Sequence, residues 1–485
     1  MAISIPAHGI PEGDLFTTLE RYREHDLDTH GGRTWAYVYD PGRADVERIA
    51  KRAYLEYLSE NALDPTVFPS LLRMENEVVG MAADHLHGDE NVVGSFTSGG
   101  TESCMLAVKT ARDWARENRP EIDRPEMILP VTAHAAFQKA AHYFDVKPVL
   151  VPVSPIDWKA DLVAVEGAIT PNTILMVGSA VSYAHGVVDP IPQMGVLAQE
   201  HGLLLHVDGC IGGFILPYFR RLGAQVTDFD FAVPGVTSMS MDYHKYAYCP
   251  KGASVVLYRD AGLRRHQLFA CAEWTGYTVI NTTFQSTKSG GSLAAAWAVL
   301  NYVGDDGYLD IARRTYEATR AIVDGIGEMP DLHVMGNPEA SLVALTSDTV
   351  SVFHVIDEMR ELRWFVQPQL GFLGSRENVH LSVTGASLPR VAALLHDLAG
   401  AVEKARDLPD PTPDAAIVSM LQGLDPATLD EATFDALLAG AGIGDSAGLP
   451  DRTAGINAIL NACPPALASR LLVEYFNRLY VPPHP

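Results

Sequence analysis

The chain has 485 residues, 47% of them hydrophobic and 20% charged, with a formal net charge of -24. That length and apolar content suffice for a large core divided into more than one lobe. The acidic balance argues against nucleic acid or an anionic membrane as a partner. From the N-terminus, Met1 to Ile10 lacks the charged region and apolar core of a signal peptide, and no run approaches the ~18 apolar residues of a membrane span. No membrane anchor is therefore expected, and a cytoplasmic setting is. The five cysteines, Cys104, Cys210, Cys249, Cys271 and Cys463, fit no metal or redox spacing, and their odd number suits a reducing compartment better than a disulfide framework. His85 and His87 sit two apart at a helix end and read as surface residues, so no metal site is expected.

A helical pattern over Ala44 to Glu60 closes an N-terminal arm, residues 1–60. Residues 61–305 alternate helical patterns with short apolar runs, Glu126 to Pro130, Pro148 to Val153, Ile174 to Gly178 and Leu203 to Val207. That alternation predicts an α/β domain with a mostly parallel central sheet and helices on both faces. Ligands then sit at the carboxyl ends of the strands. A helical pattern from Tyr308 to Met329 leads into a smaller α+β domain, 306–406, with strand-like Ser341 to Leu345 and Val379 to Val383 around helix-like Val350 to Leu362. Asp407 to Pro413 carries three prolines, which end the helix and begin a linker and helical tail, 407–485. Its amphipathic patterns, Asp425 to Ala439 and Pro465 to Tyr480, suit packing on the small domain, or a gating or dimer-contact role.

Three segments carry chemistry. In Asn91 to Met105 a short strand-like run meets Gly99-Gly100 and then a helical pattern. Such a turn either joins strand to helix or makes an anion site, where the glycines let backbone N–H groups approach a phosphate and Ser98 and Thr101 add hydroxyls. The G-x-G-x-x-G spacing of a dinucleotide site is missing. In Gly202 to Phe214 a buried-looking strand ends on Asp208, which either caps the next helix or pairs with a pyridinium nitrogen. In Ser238 to Tyr258, Lys245 follows His244 in a turn; a partly desolvated lysine amine there can condense with an aldehyde. Phosphate turn, aspartate and lysine in that order point to pyridoxal 5'-phosphate.

These segments, with Thr132 to Ala140, His185 to Pro190 and His244 to Gly252, make residues from about 50 to about 390 resemble the sphingosine-1-phosphate lyases of the pyridoxal-phosphate-dependent decarboxylase group. The resemblance implies the transferase-like fold type I and a homodimer with shared active sites. It makes Lys245 the Schiff-base lysine and Asp208 the partner of the ring nitrogen. It also stacks His134 on the ring and sets His185 near it. Ser98, Gly99, Gly100, Thr101 and His244 would surround the cofactor phosphate, and Tyr54 would lie near the substrate. Lys251, six residues after Lys245, resembles the lyase branch more than ordinary decarboxylases, although a loop lysine can also simply face water.

Departures fall on residues expected at the substrate side. Where the family has a histidine in an Asn-Pro-Leu-His-Pro-like motif, this chain has Asp64. Two like charges about 4 Å apart at an effective dielectric near 20 repel by roughly 4 kcal/mol, so Asp64 would oppose a substrate phosphate. The family's active-site tyrosine and arginine fall on Val279 and Lys288, and Gly209, Met241 and Tyr243 replace its alanine, alanine and threonine. Valine moves no proton and lysine lacks the bidentate grip of arginine. The expected activity is carbon-carbon cleavage at Cα of a primary amine bearing a β-hydroxyl, with Lys251 or His134 assisting proton transfer. The alternative is an amino-acid decarboxylase with a substrate carboxylate on Lys288 or Lys251. A catalytically silent binding protein is a third reading.

Overall fold

The computed structural model describes residues 4–440 and 451–482. Seven strands form the central sheet: β1 (Val93–Thr97), β2 (Glu126–Pro130), β3 (Lys147–Val151), β4 (Thr173–Ser179), β5 (Leu204–Asp208), β6 (Ser238–Met241) and β7 (Ser254–Tyr258), in the order β1-β7-β6-β5-β4-β2-β3. Only β7 runs against its neighbours, so the expected mostly parallel sheet is present. Every residue of β2, β4 and β5 is buried, which is why these strands read as continuous apolar runs rather than alternating ones. The register sets Asp208 between Ser179 of β4 and Ser240 of β6, where three strands end together.

The helices α1 (Glu12–Tyr22) and α2 (Ala44–Glu56) precede this sheet in the chain, and α3 (Pro69–His85), α4 (Gly100–Asn118) and α5 (Ala135–Phe144) pack on it. α2 stops short of Glu60 because Tyr57 leaves helical backbone, at φ -116° and ψ 30°. His85 is no surface residue: its ring packs 5.0 Å from Phe214 and 5.1 Å from Tyr218, and its Nε2 bonds the Phe214 carbonyl at 2.8 Å. His87 is exposed and pairs with Asp230.

The helix Gly290–Gly327 runs along the large domain and into the small one, broken at Gly304, whose φ of 64° lies where glycine avoids the usual steric cost. Between β7 and this helix lies a hairpin that the sequence pattern did not disclose, β8 (Phe269–Cys271) and β9 (Val279–Asn281), each too short to show a period. The small sheet, β10 (His333–Val334), β11 (Leu342–Thr346), β12 (Gln367–Gln369) and β13 (Asn378–Ser382), has the order β10-β11-β13-β12 and is antiparallel. In the tail, the buried Asp357 carboxylate accepts N–H bonds from Thr453 and Ala454 and so caps the helix Ala454–Ala462. Ala454 and Ala458 join the small-domain core. Leu421 of the helix Ala415–Gly423, Cys463 at the end of Ala454–Ala462 and Leu467 of Pro465–Leu479 form a separate cluster.

Three histidines among the described residues are fully buried: His206 on β5, His185, and His380 on β13. Burial pushes their pKa down, to about 4, about 4 and about 3, the last also by the nearby His185. A depressed pKa gives stability that is present above the ordinary value of 6.5 and lost as pH falls toward the folded value. Each histidine therefore penalises the folded state on the order of 3 kcal/mol once pH is below its folded pKa. Urea unfolding at pH 7 and pH 4.5 should show His206→Gln losing roughly 2 kcal/mol less than the parent over that interval. Equal losses would show that His206 is not buried as a neutral ring.

Candidate active site

β1 ends at Thr97, and the Gly99-Gly100 turn opens α4 directly over the ends of β5 and β6. Between them is a cavity of about 350 Å³ lined by Ser98, Gly99, Gly100, Thr101, His134, Tyr183, Asp208, Asp242, His244 and Lys245, among others. Glu102, buried in the first turn of α4, holds this corner: its carboxylate accepts the Ser98 N–H at 2.7 Å and the Phe284 N–H at 2.9 Å. Gly100 is required by close approach, since a Cβ there would lie 2.7 Å from both Asp242 Oδ2 and Cys210 Sγ.

Asp208 Oδ1 accepts the Cys210 N–H at 3.0 Å and the Ser240 hydroxyl at 3.2 Å. His134 caps α5 by accepting the Ala136 N–H on Nδ1 at 3.1 Å, so the neutral ring carries its proton on Nε2. His244 Nδ1 bonds the Ala253 carbonyl at 2.9 Å.

Lys245 Nζ lies 2.9 Å from Asp242 Oδ2, and that aspartate is only 1% exposed. Asp242 Oδ1 also takes the Ser254 hydroxyl at 2.5 Å. Burial alone would lower the lysine pKa, but the Asp242 charge, with smaller help from Tyr39 and Cys210, drives it well above the ordinary value. For Asp242 burial likewise opposes ionisation and is overcome by Lys245 and His244. Both partners thus favour the ion pair. Asp242 was missed in the sequence, although its i,i+3 spacing to Lys245 was a usable sign. Tyr183 was missed as well; its hydroxyl donates to Gln367 at 2.6 Å and its ring stacks on His380 at 4.4 Å.

Several expected residues lie elsewhere. His185 is outside the cavity lining, stacked on Trp158 at 4.5 Å with Nε2 bonded to Ser375 at 3.1 Å, because burial there is apolar and aromatic. Tyr54 and Lys251 line an adjoining groove of about 880 Å³ with Tyr37 and Tyr39. Lys251 Nζ sits 4.9 Å from the Tyr39 ring centre and 3.4 Å from the Tyr37 carbonyl. Partial desolvation, then the charge of Lys245, lowers its pKa. Asp64 is exposed and folds back on Thr66, accepting its N–H at 2.8 Å and its hydroxyl at 2.6 Å. Its carboxylate is a turn device and lies outside both linings. Val279 belongs to the β8–β9 hairpin. Lys288 is buried against Glu75, with Nζ to carboxylate distances of 2.7 and 2.8 Å, and is occupied. Met241 and Tyr243 are core residues rather than substrate contacts, Met241 packing on Gly213 and Tyr243 bonding the Val78 carbonyl.

The cavity suits pyridoxal phosphate: a lysine amine for the aldehyde, a carboxylate at a strand end for the ring nitrogen, an imidazole, and a helix N-terminus stripped of Cβ atoms for the phosphate. Comparison with known proteins agrees. Residues 49–347 match the pyridoxal-dependent decarboxylase conserved domain. The chain belongs to that family. It is a pyridoxal-phosphate-dependent lyase. It is 37% identical to the sphingosine-1-phosphate lyase of Dictyostelium discoideum over 83% of this chain and 75% of that protein. The solved sphingosine-1-phosphate lyase of Burkholderia pseudomallei superposes with a TM-score of 0.79 at 37% identity, over 84% of this chain and 94% of the other. A probable L-aspartate decarboxylase of Pyrococcus furiosus is 31% identical over 76% of this chain and 96% of its own length. Residues 415–478 match the "Pyridoxal-dependent enzyme, C-terminal putative HTH domain". That segment of the lyase carries seven carboxylates against three arginines, a balance that opposes a nucleic-acid backbone.

Two outcomes test these assignments. Lys288→Ala should leave the partly buried Glu75 carboxylate with only the Phe96 N–H and cost roughly 2 kcal/mol in urea unfolding; an unchanged midpoint would mean that the pair is not formed. Asp242→Asn removes the charge that raises the Lys245 pKa and leaves burial, which lowers it. Labelling of Lys245 by an amine-reactive reagent, mapped by mass spectrometry in cofactor-free protein, should then begin at lower pH than in the parent. Identical pH profiles would refute the ion pair.

Proposed function

We propose that the enzyme cleaves the Cα–Cβ bond of a β-hydroxy amine of the phosphorylated sphingoid-base type, releasing an aldehyde and a shortened amine. The observation that carries this reading is Lys251, a second amine close enough to feel the charge of Lys245 and weakened as an acid-holder by partial desolvation. Similarity to lyases of that substrate at 37% identity supports it. Bound pyridoxal phosphate supplies an electron sink for the pair released when a bond at Cα breaks.

The chain's residues do the rest. Lys245 would present the amine that binds the cofactor, and Asp208 would keep its ring nitrogen protonated. Ser98, Gly99, Gly100, Thr101 and His244 would hold the phosphate, and His134 would lie beside the ring. Lys251, its pKa lowered, accepts the proton of the substrate's β-hydroxyl while that oxygen forms the carbonyl of the departing aldehyde. Tyr39, close enough to feel the charge of Lys245, has a pKa raised first through burial, so it stays protonated and serves as the donor to the carbon left behind. Decarboxylation, the runner-up, is weakened at two residues: Asp64 is tied to Thr66, and Lys288 is tied to Glu75, which leaves Lys251 to hold a substrate carboxylate.

α1 exposes Leu15, Phe16, Leu19 and Tyr22 and buries nothing. An apolar stripe on an N-terminal arm suits a second copy of the chain, so the working form is a homodimer with shared sites. No helix among the described residues is long and apolar enough to cross a membrane, and a cytoplasmic enzyme is the accompanying proposal.

A mass-spectrometric product assay of the loaded enzyme with phosphorylated sphingoid bases, β-hydroxy amino acids and common amino acids tests the reaction. The expected product is an aldehyde paired with a shortened amine; an amine lighter by one carboxyl group would make the enzyme a decarboxylase. Lys245→Ala should abolish turnover, and Lys251→Ala should lower it by about 100-fold or more. Full activity of Lys251→Ala would remove its proposed role.

A further inference from the structure

Two thiols share the cavity with Asp208, and none of the steps above uses them. Cys104, on α4, and Cys210, two residues beyond Asp208, are 1% and 7% exposed. Both line the cavity. Although 106 positions separate them in sequence, their sulfurs and an Asp208 oxygen lie within 4.8 Å of one another, the one such group among the described residues. The Ser240 hydroxyl sits beside all three, 3.3 Å from Cys210 Sγ, 3.8 Å from Cys104 Sγ and 3.2 Å from Asp208 Oδ1.

A tetrahedral ion with metal–sulfur bonds of about 2.3 Å and metal–oxygen bonds of about 2.0 Å requires ligand-to-ligand edges of roughly 3.3 to 3.8 Å. The three edges from Ser240 lie close to that range, so little movement separates this cluster from a closed S₂O₂ shell. Thiolates select soft or borderline ions of the zinc and cadmium type over magnesium or calcium. The Asp208 and Asp242 carboxylates favour a cation here and disfavour free thiolates. Cys210 is raised well above the ordinary thiol value by the Cys104 contact, by burial and by those two charges.

We propose that Cys104, Cys210, Asp208 and Ser240 form a site for one soft divalent cation, available only while the cofactor is absent. Binding breaks two S–H bonds, releases two protons and forms two metal–sulfur bonds. The exclusion rests on the reading of Asp208 as the partner of the cofactor ring, because the protonated ring nitrogen would compete with the ion for the charge of that one carboxylate. The sequence spacing had argued against any metal role for the cysteines; the fold supplies the proximity that spacing lacks.

The test uses the full chain, stripped of cofactor and titrated with cadmium chloride, with the sulfur-to-cadmium charge-transfer absorption and released protons as readouts. One ion and about two protons per chain are expected. Cys104→Ala and, as a second variant with more of the lost volume, Cys104→Val should each weaken binding by more than about 100-fold, above the effect of losing an outer-shell partner. Cys271→Ala, at a thiol outside the cavity, should leave the absorption intact. Restoring pyridoxal phosphate should abolish it. No absorption in the stripped chain, or absorption unchanged in both Cys104 variants, overturns the site. Absorption equal with and without cofactor overturns the exclusion and, with it, the reading of Asp208, a failure distinct from loss of the band.

Discussion

The buried pair of Asp242 and Lys245 sets the terms for the site. A carboxylate 1% exposed loses hydration worth several kcal/mol and must recover it from a cation and hydrogen bonds. Lys245 and Ser254 supply them, which ties the turn after β6 to β7. Gly100 has to be a glycine because that carboxylate stands where its Cβ would be. The amine needed for chemistry is thus held as an ammonium by a neighbour, and forming a bond to an aldehyde means giving up that charge. Position and reactivity of Lys245 are set by one contact.

Much of this arrangement was legible locally. The Gly99-Gly100 turn, the strand end at Asp208 and the His244-Lys245 turn each carry their chemistry within a few residues, and they meet in one cavity. The α/β pattern was legible because parallel strands covered on both faces leave unbroken apolar runs, as in β4 and β5. What failed depends on partners distant in sequence. Lys288 reads as a substrate ligand until Glu75, 213 positions away, is seen to hold it. His185 lies near the site motifs in sequence, but Trp158 and Ser375 draw it out of the lining. Asp64 is the local exception: it reads as a charge beside the substrate, whereas its carboxylate is the acceptor for Thr66, two residues on, in its own turn. Cys104 and Cys210 carry no shared pattern because α4 and β5 bring them together only in the fold.

The substrate side is correspondingly simpler than its departures from the family suggest. Met241 and Tyr243 pack in the core, where Tyr243 bonds α3 through the Val78 carbonyl. The groove beside the cavity instead owes its character to aromatic residues of the arm, Tyr37, Tyr39 and Tyr54, and to Lys251. On the proposed lyase reading, substrate contacts come from this groove, where the N-terminal arm meets the large domain, and not from the cofactor motifs.

The helix Gly290–Gly327 crosses from one domain to the other as a single hydrogen-bonded element apart from its break at Gly304. Tyr308, Ile311 and Ala312, just past that break, still pack in the core of the large domain, whereas Ala318, Ile322 and Ile326 pack in the small one. The segment after Gly304 is therefore a beam set at one end in each core, and it fixes where the small sheet stands, including Gln367 of β12 and its bond to Tyr183 at the cavity.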